Sequence, residues 1–290
     1  MFSLNQRRRS SSAARRSRRV SRLEQLEART LLTSWVGQIG GVGYDSVQSQ
    51  AVMDTAGNMY LGGVYSATAD FELGPGATTL TTAGAEDAYV AKYAPDGSLL
   101  WVRQFGGSQG DHSASIRLDP ATGSLFVTGA FRGAADFTGD GVADLTSAGN
   151  ADVFVVRLDP VTGNTLWHKR IGGANDETAN DGAAADGHVY VVGLFSNTVD
   201  FNPGTGTNSL TSTPLTGKGS GKNYSRDGYL LKLTDQGNYV WAGQISGQSD
   251  ESDQQRDRRW RNALCGRPFQ RHCRLESIGH RDNTYQQRRP

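Results

Sequence analysis

Apolar and polar positions alternate with a period of two in short runs along most of this chain. In "DAYVAKY", Tyr89, Ala91 and Tyr93 fall on one face and Val90 and Lys92 on the other, which is how a strand distributes its side chains. "SASIRLD", "SLFVTGAF" and "DVFVVRLD" read as further strands. Asp-Pro-x-Thr-Gly, Pro-Asp-Gly and Ala-Gly-Asn separate such runs. In these turns glycine takes positive φ and aspartate bonds back to the turn amides. The pattern predicts short antiparallel strands joined by tight turns.

The runs recur as a unit. Trp35, Trp101, Trp167 and Trp241 are 66, 66 and 74 residues apart, and they open "WVGQIGG", "WVRQFGG", "WHKRIGG" and "WAGQISG". Further along come "GNMYLGGVYSATADF", "GSLFVTGAFRGAADF" and "GHVYVVGLFSNTVDF". The units close on "DAYVAKYAPDGSLLW", "DVFVVRLDPVTGNTLW" and "DGYLLKLTDQGNYVW". Four strands per unit, the first following the Trp, predict one propeller blade. The expected fold class is all-β: a partial β-propeller of about three four-stranded antiparallel blades plus a broken fourth. The blades are expected over residues 35–100, 101–166 and 167–240, with the fourth starting at 241. The unit is long for a blade, and the excess, Phe71 to Asp87 or Phe137 to Asp152, is expected as a loop protruding between the third and fourth strands. A β-solenoid would need a shorter coil, and a row of sandwiches about seven strands per unit.

The Gly-Gly, Gly-Asn-x-Tyr, Asp-Phe-x-Pro-Gly and Asp-Ala-x-Val-x-Lys segments, closed by Asp-Gly and Trp, resemble the bacterial cell-surface propeller repeats of the SBBP type. The resemblance covers roughly residues 35–250 and recurs three times. It implies a propeller in an extracellular or cell-surface setting, with an unknown protein or glycan as partner and no catalytic residues.

Composition agrees with strands and turns: 37 glycines, and 36% apolar residues. No apolar run is long enough to span a membrane. The net charge of +1 averages unlike pieces, +7 over residues 1–29, −11 over 30–250 and +5 over 251–290. An acidic middle disfavours nucleic acid as a partner. The Arg- and Ser-rich residues 1–33 lack an apolar signal-peptide core and are expected to be disordered. Within them "RLEQLEARTLLT" resembles the N-terminal motif of planctomycete extracellular proteins, with Thr33 where Ser is commoner. That resemblance implies an export address; a basic nucleic-acid-binding arm is the competing reading.

The fourth unit starts normally with "WAGQISGQSDESDQ" and then changes character, becoming Arg-rich and glycine-poor. Read one base on, a permitted choice of codons from Arg256 yields a stretch that follows Gly182–Pro203 of the third unit, including Phe-Ser-x-Thr-Val-Asp-x-Asn-Pro. Residues 251–290 are therefore expected to be a frame-shifted, disordered tail, the intact ancestor longer, and the protein truncated and not fully functional. Cys265, His272, Cys273 and His280 lie within sixteen residues there, but their irregular spacing does not match paired zinc ligands.

The candidate binding loop is "DFTGDGVADL". Asp136, Thr138, Asp140 and Asp144 take positions 1, 3, 5 and 9 of an EF-hand-like calcium loop, Gly141 position 6 and Val142 the carbonyl position. The loop also resembles those of integrin-type and dockerin-type repeats. Ser147 stands where a glutamate is usual, and "DFELGPGATTL" and "DFNPGTGTNSL" lack the acids. A solvated turn is the alternative; no cofactor is expected, unless this loop holds calcium weakly as a structural ion. Asp87, Asp152 and Asp227 recur once per unit, as do Lys92, Arg157 and Lys232; such repetition points to structural roles, as it does for the four Trp residues. His112, His168 and His188 are scattered and form no Ser/His/Asp order. The expected function is a non-catalytic extracellular or cell-surface scaffold or binding module. The alternative is a propeller enzyme, quinoprotein-dehydrogenase-like or glycan-acting, since "GNTLW" and "GSLLW" resemble quinone-dehydrogenase repeats.

Overall fold

A computed structural model describes residues 36–214 and 226–246. Trp35, the basic residues 1–33 and the tail 251–290 with its Cys and His cluster lie outside the described residues. The described residues form strands and turns arranged in several antiparallel sheets, so the fold class is all-β. Among them no helix is long and apolar enough to cross a membrane.

The first unit contributes β1 (Gly40–Gly41), β2 (Asp45–Val47), β3 (Val52–Met53), β4 (Met59–Tyr65), β5 (Thr68–Asp70), β6 (Thr79–Thr81), β7 (Asp87–Tyr93) and β8 (Leu99–Gly107). The second contributes β9 (His112–Leu118), β10 (Leu125–Phe131), β11 (Ala134–Asp136), β12 (Leu145–Thr146), β13 (Asp152–Leu158) and β14 (Thr165–Ile171). The third contributes β15 (Thr178–Ala185), β16 (His188–Ser196), β17 (Thr198–Asp200), β18 (Ser209–Thr211), β19 (Arg226–Thr234) and β20 (Tyr239–Ile245). Each unit makes one meander: β2 and β3 together beside β4, then β7 and β8; β9-β10-β13-β14; and β15-β16-β19-β20.

The sheets begin one strand later than the sequence repeat suggests. The Trp strand does not open a sheet; it closes the preceding one, with Trp101 opposite Lys92, Trp167 opposite Arg157 and Trp241 opposite Lys232. The tight turn in front of each Trp strand is the reason. Gly97, Gly163 and Gly237 adopt φ of 88°, 73° and 75°, a left-handed conformation that glycine enters without steric cost and that folds the strand back on its predecessor.

The excess residues do project between the third and fourth strands expected from sequence, but as hairpins rather than plain loops: β5–β6, β11–β12 and β17–β18. Two of them are tied to the Gly-Gly pair that follows the previous Trp. β1 pairs with β5, and the end of β8 pairs with β11. A Cβ on Gly41 would stand 1.9 Å from the Thr68 carbonyl oxygen, and one on Gly107 1.9 Å from that of Ala134. The backbones approach that closely because no side chain intervenes.

The central strands bury both faces, as their alternation requires. Val90 of β7 joins Phe105, Ile116, Val127, Phe154 and Val156 in the core between the first and second sheets. Tyr89, Ala91 and Tyr93 point the other way, toward Tyr65 and Phe71. Val153 and Val155 of β13 meet Val189, Val191 and Leu231 in the core between the second and third sheets. The Phe of each Asp-Phe pair wedges into two aromatic rings of its own sheet. Phe71 lies 5.4 and 4.9 Å from Tyr65 and Tyr89, Phe137 5.4 and 5.1 Å from Phe131 and Phe154, and Phe201 5.2 and 4.9 Å from Phe195 and Tyr229. Each buried ring is worth several kcal/mol, of order 3–5 on truncation to alanine, so the hairpins are anchored to the sheets through these residues.

Candidate functional site

The hairpins β5–β6 and β11–β12 flank a cleft of about 510 Å³ whose floor is β8. Leu80 and Ala83 line one wall; Asp136, Gly139, Gly141 and Ala143 line the other. Arg103 and Gln104 lie on the floor, and both are engaged within the fold. The Arg103 guanidinium donates to the carbonyl oxygens of Thr162 and Gly163 (2.8 and 3.1 Å) and to Asn164 Oδ1 (2.9 Å). It thereby clamps the β13–β14 turn of the next sheet. Gln104 Nε2 donates to the Thr81 carbonyl and to Asp87 Oδ2.

The loop residues proposed as calcium ligands lie beside this cleft, and their carboxylates hold the loop's own backbone. Asp136 Oδ1 accepts from the amides of Thr138 and Gly139 at 2.9 and 2.7 Å, and Oδ2 from Gly141 at 2.7 Å. Asp144 Oδ2 accepts from Phe137 and Thr138 at 2.7 and 2.9 Å. Asp136 and Asp144 thus converge on the Thr138 amide. Asp140 turns onto the Val142 amide at 2.8 Å instead. The Thr138 hydroxyl contacts Asp136 Oδ1 at 3.4 Å. Burial pushes the Asp136 carboxyl up, but the Gly139, Gly141 and Thr138 donors outweigh it and hold it below the usual carboxylate range. The same closure recurs where the other acids are missing. Asp70 Oδ1 accepts from Glu72 and Thr78, and Asp200 Oδ1 from Asn202 and Asn208. Among the described residues no three His, Cys, Asp or Glu side chains gather as a metal site would need.

The recurring aspartates and cations are brought to the seams between sheets. Asp87, at the start of β7, accepts the Ala83 amide at 2.8 Å on Oδ2, while its buried Oδ1 has no hydrogen-bond partner. Asp111, leading into the second sheet, accepts Gly107 N at 2.8 Å and Arg132 N at 2.9 Å. Both carboxylates face Gly106: a Cβ there would lie 2.4 Å from Asp87 Oδ1 and 2.8 Å from Asp111 Oδ2. Burial raises the Asp87 carboxyl. It pushes Asp111 up to about 7, with the neighbouring Asp87 charge acting in the same direction. The next seam repeats the arrangement with a longer acid. Glu177 accepts Gly173 N at 2.7 Å, Asp152 sits over Gly172, and Arg170 Nη1 reaches Asp152 Oδ2 at 2.7 Å. Burial, with Asp152 and Asp176 adding to it, pushes Glu177 up to about 7. Asp227 of the third sheet accepts from Thr213 and Gln244.

Sequence comparison overlooks the partner acids of these seams because their identity changes. The available signal was an acid four residues after the second glycine of each Gly-Gly: Asp45, Asp111 and Glu177. Each accepts that glycine's amide, at 2.8, 2.8 and 2.7 Å.

Each Trp strand of the first two sheets receives the β-turn of the next sheet. The Pro160 carbonyl accepts from Lys92 Nζ at 2.8 Å and from Trp101 Nε1 and the Tyr60 hydroxyl at 3.4 Å each. The Asp235 carbonyl accepts from Trp167 Nε1 at 2.9 Å and Arg157 Nη1 at 3.3 Å. Gly163 and Gly237 lie against the Trp101 and Trp167 rings, leaving no room for a side chain on Gly163. The three described histidines serve local contacts. His112 faces Glu86 at 3.7 Å, His168 stacks on Phe137 with Asp144 at 3.8 Å, and His188 meets the Asp186 carbonyl at 2.8 Å. Neither protein-family models nor curated proteins provide a match to this chain.

Proposed function

We propose that the three sheets are blades of a β-propeller related to the bacterial cell-surface repeats. In this reading the chain is a non-catalytic extracellular or cell-surface scaffold, presenting the cleft between its projecting hairpins to a protein or a glycan. Successive four-stranded meanders packed face to face are the unit from which propellers are built, which supports the first part. The second rests on one observation: the charged and amide side chains of the cleft are already bonded inside the fold, Arg103 to the next sheet, Gln104 to Asp87, and Asp136 to its own loop. What the cleft offers a ligand is shape, small side chains and backbone. That suits recognition better than catalysis, which needs a poised acid, base or nucleophile facing the ligand.

Ala83 and Ala143 are exposed on opposite walls, so Ala83→Trp and Ala143→Trp fill the cleft without entering a core. The labelled protein is applied to glycan and surface-protein arrays. Ligands retained by the parent chain should be lost by both filled variants. Ligands retained equally by the filled variants would exclude the cleft as the binding site.

A further inference from the structure

The wall and floor of the cleft are held from behind by the two carboxylates of the first seam. Asp87 Oδ2 accepts the Ala83 amide at 2.8 Å and the Gln104 side chain. Asp111 Oδ2 accepts the Gly107 amide at 2.8 Å. Ala83, Gln104 and Gly107 all line the cleft. The two segments so held touch at Gly84, where a Cβ would stand 2.4 Å from the Gly107 carbonyl oxygen and 2.3 Å from the Ser108 carbonyl carbon. Asp87 and Asp111 are 0% and 1% exposed. Asp87 Oδ1, which has no hydrogen-bond partner, and Asp111 Oδ2 reach one point beside Gly106, 2.4 and 2.8 Å from where its Cβ would be. Among the described residues no ion pair reaches either carboxylate. The second seam differs: Arg170 takes the place of Gln104 in the sheet and pairs with Asp152 at 2.7 Å, and both Asp152 oxygens accept donors.

We propose that Asp87 and Asp111 hold a single proton as a pair and that this proton keeps the end of the cleft closed. With it, the pair carries one negative charge and Ala83–Gly84 rests on Gly107–Ser108. When it leaves to water, two like charges face each other without a counter-cation, and their repulsion parts the two segments they hold. The proton belongs to the pair rather than to either residue. Burial, with the Asp87 charge adding to it, raises Asp111 to about 7. Closure is therefore complete in mild acid and is lost as pH rises through about 7. The surrounding groups do not supply the missing charge. Tyr65, opposite Asp87 on β4, keeps its proton, and Asp45 beyond it in the same row is another acid. Glu86 and His112, flanking the pair in sequence, face each other at 3.7 Å. Asp136, opposite Gly106 on β11, is taken up by its own loop amides. Arg132 lowers Asp111, but by less than burial raises it.

The test needs no ligand, so it stands independently of what the cleft binds. In the full chain, the amide proton shifts of Ala83 and Gly107 are followed by NMR across the pH range. Hydrogen exchange at the same two amides is corrected for its intrinsic base catalysis. Both amides should titrate together with a midpoint near pH 7, and their corrected exchange should quicken about tenfold or more above it. Asp87→Asn should lower the Gly107 midpoint by about one pH unit or more. Asp111→Asn should keep Ala83 slow to exchange throughout. Gly84→Ala, whose methyl group would strike the Ser108 carbonyl, should exchange quickly at Ala83 even in mild acid. A midpoint at either amide near the usual carboxylate value of about 4, or a Gly107 midpoint indifferent to Asp87→Asn, overturns the proposal. So does a titration that leaves exchange unchanged, or quick exchange of the parent chain at every pH.

Discussion

The second and third sheets come from the same repeat and have unlike surroundings. The second has a neighbour on each face: Phe154 and Val156 belong to the core shared with the first sheet, Val153 and Val155 to the core shared with the third. The third has a described neighbour on one face, and Val240 and Trp241 of its last strand are 40% and 39% exposed. Trp167, by contrast, sits under the turn of the next sheet. A repeat of this kind supplies half of each core and half of each contact between a Trp strand and the neighbouring turn, and the adjoining sheet supplies the other half. Equal sequence therefore does not mean equal energy, as is general for stacked repeats.

Truncations should separate the two sheets most strongly. Phe137→Ala removes a ring packed against Phe105, Phe131 and Phe154 and is expected to cost about 3–5 kcal/mol. Trp101→Ala, under the corresponding turn contact of the first sheet, should fall in the same range, while Trp241→Ala in the third sheet should stay within about 1 kcal/mol. Denaturant unfolding of the three variants measures the contrast.

The buried acids on either side of the second sheet come next. The folded chain holds protons on Asp111 and Glu177 up to about pH 7, whereas an unfolded carboxyl releases its proton near pH 4. Between these values unfolding releases protons, so stability falls as pH rises from about 4 to 7 and levels off above. Each acid contributes on the order of 3 kcal/mol to that slope. Below about pH 4 the trend reverses as Asp54 and Asp136, held under the usual range, become protonated. Melting temperatures should be higher at pH 5 than at pH 8, and Asp111→Asn with Glu177→Gln should flatten the difference.

A smaller effect tests the seams sterically. Gly106 and Gly172 face buried carboxylates, while Ser246 occupies the equivalent place after the third sheet and is exposed. Gly106→Ser should cost about 1–3 kcal/mol by overpacking. Ser246→Gly should change stability by less than about 0.5 kcal/mol. The least effect is expected at the projecting loop. Asp140 bonds one loop amide at the surface, so Asp140→Asn should leave unfolding within about 0.5 kcal/mol. Titration with millimolar calcium should give no heat, because the loop amides already occupy its carboxylates; saturable heat abolished by Asp136→Asn would assign a cation there.

Much of this was legible in the chain. The alternation of Tyr89, Val90, Ala91, Lys92 and Tyr93 anticipates which core each side chain enters. The Trp period locates the repeats, and the segment after each Asp-Phe is correctly placed as a projection. The phase of the sheets was not legible, since a period has no intrinsic beginning. What decides it is which connection folds back, and that depends on the positive φ of Gly97, Gly163 and Gly237. The hairpins were missed because strands as short as Leu145–Thr146 carry too few positions to show alternation. Of the loop acids, the recurrence of Asp136 as Asp70 and Asp200 foreshadows a closure role, whereas the convergence of Asp144 on the Thr138 amide depends on coordinates.

Hydrogen exchange of the indole N–H groups, read residue by residue by NMR, tests the stacking of sheets through their tryptophan-to-turn hydrogen bonds most directly. Trp101 and Trp167, bonded to the Pro160 and Asp235 carbonyls, should exchange slowly, and Trp241 should exchange at nearly the rate of a free indole. Rapid exchange at Trp101 and Trp167, or protection at Trp241 equal to theirs, would contradict it.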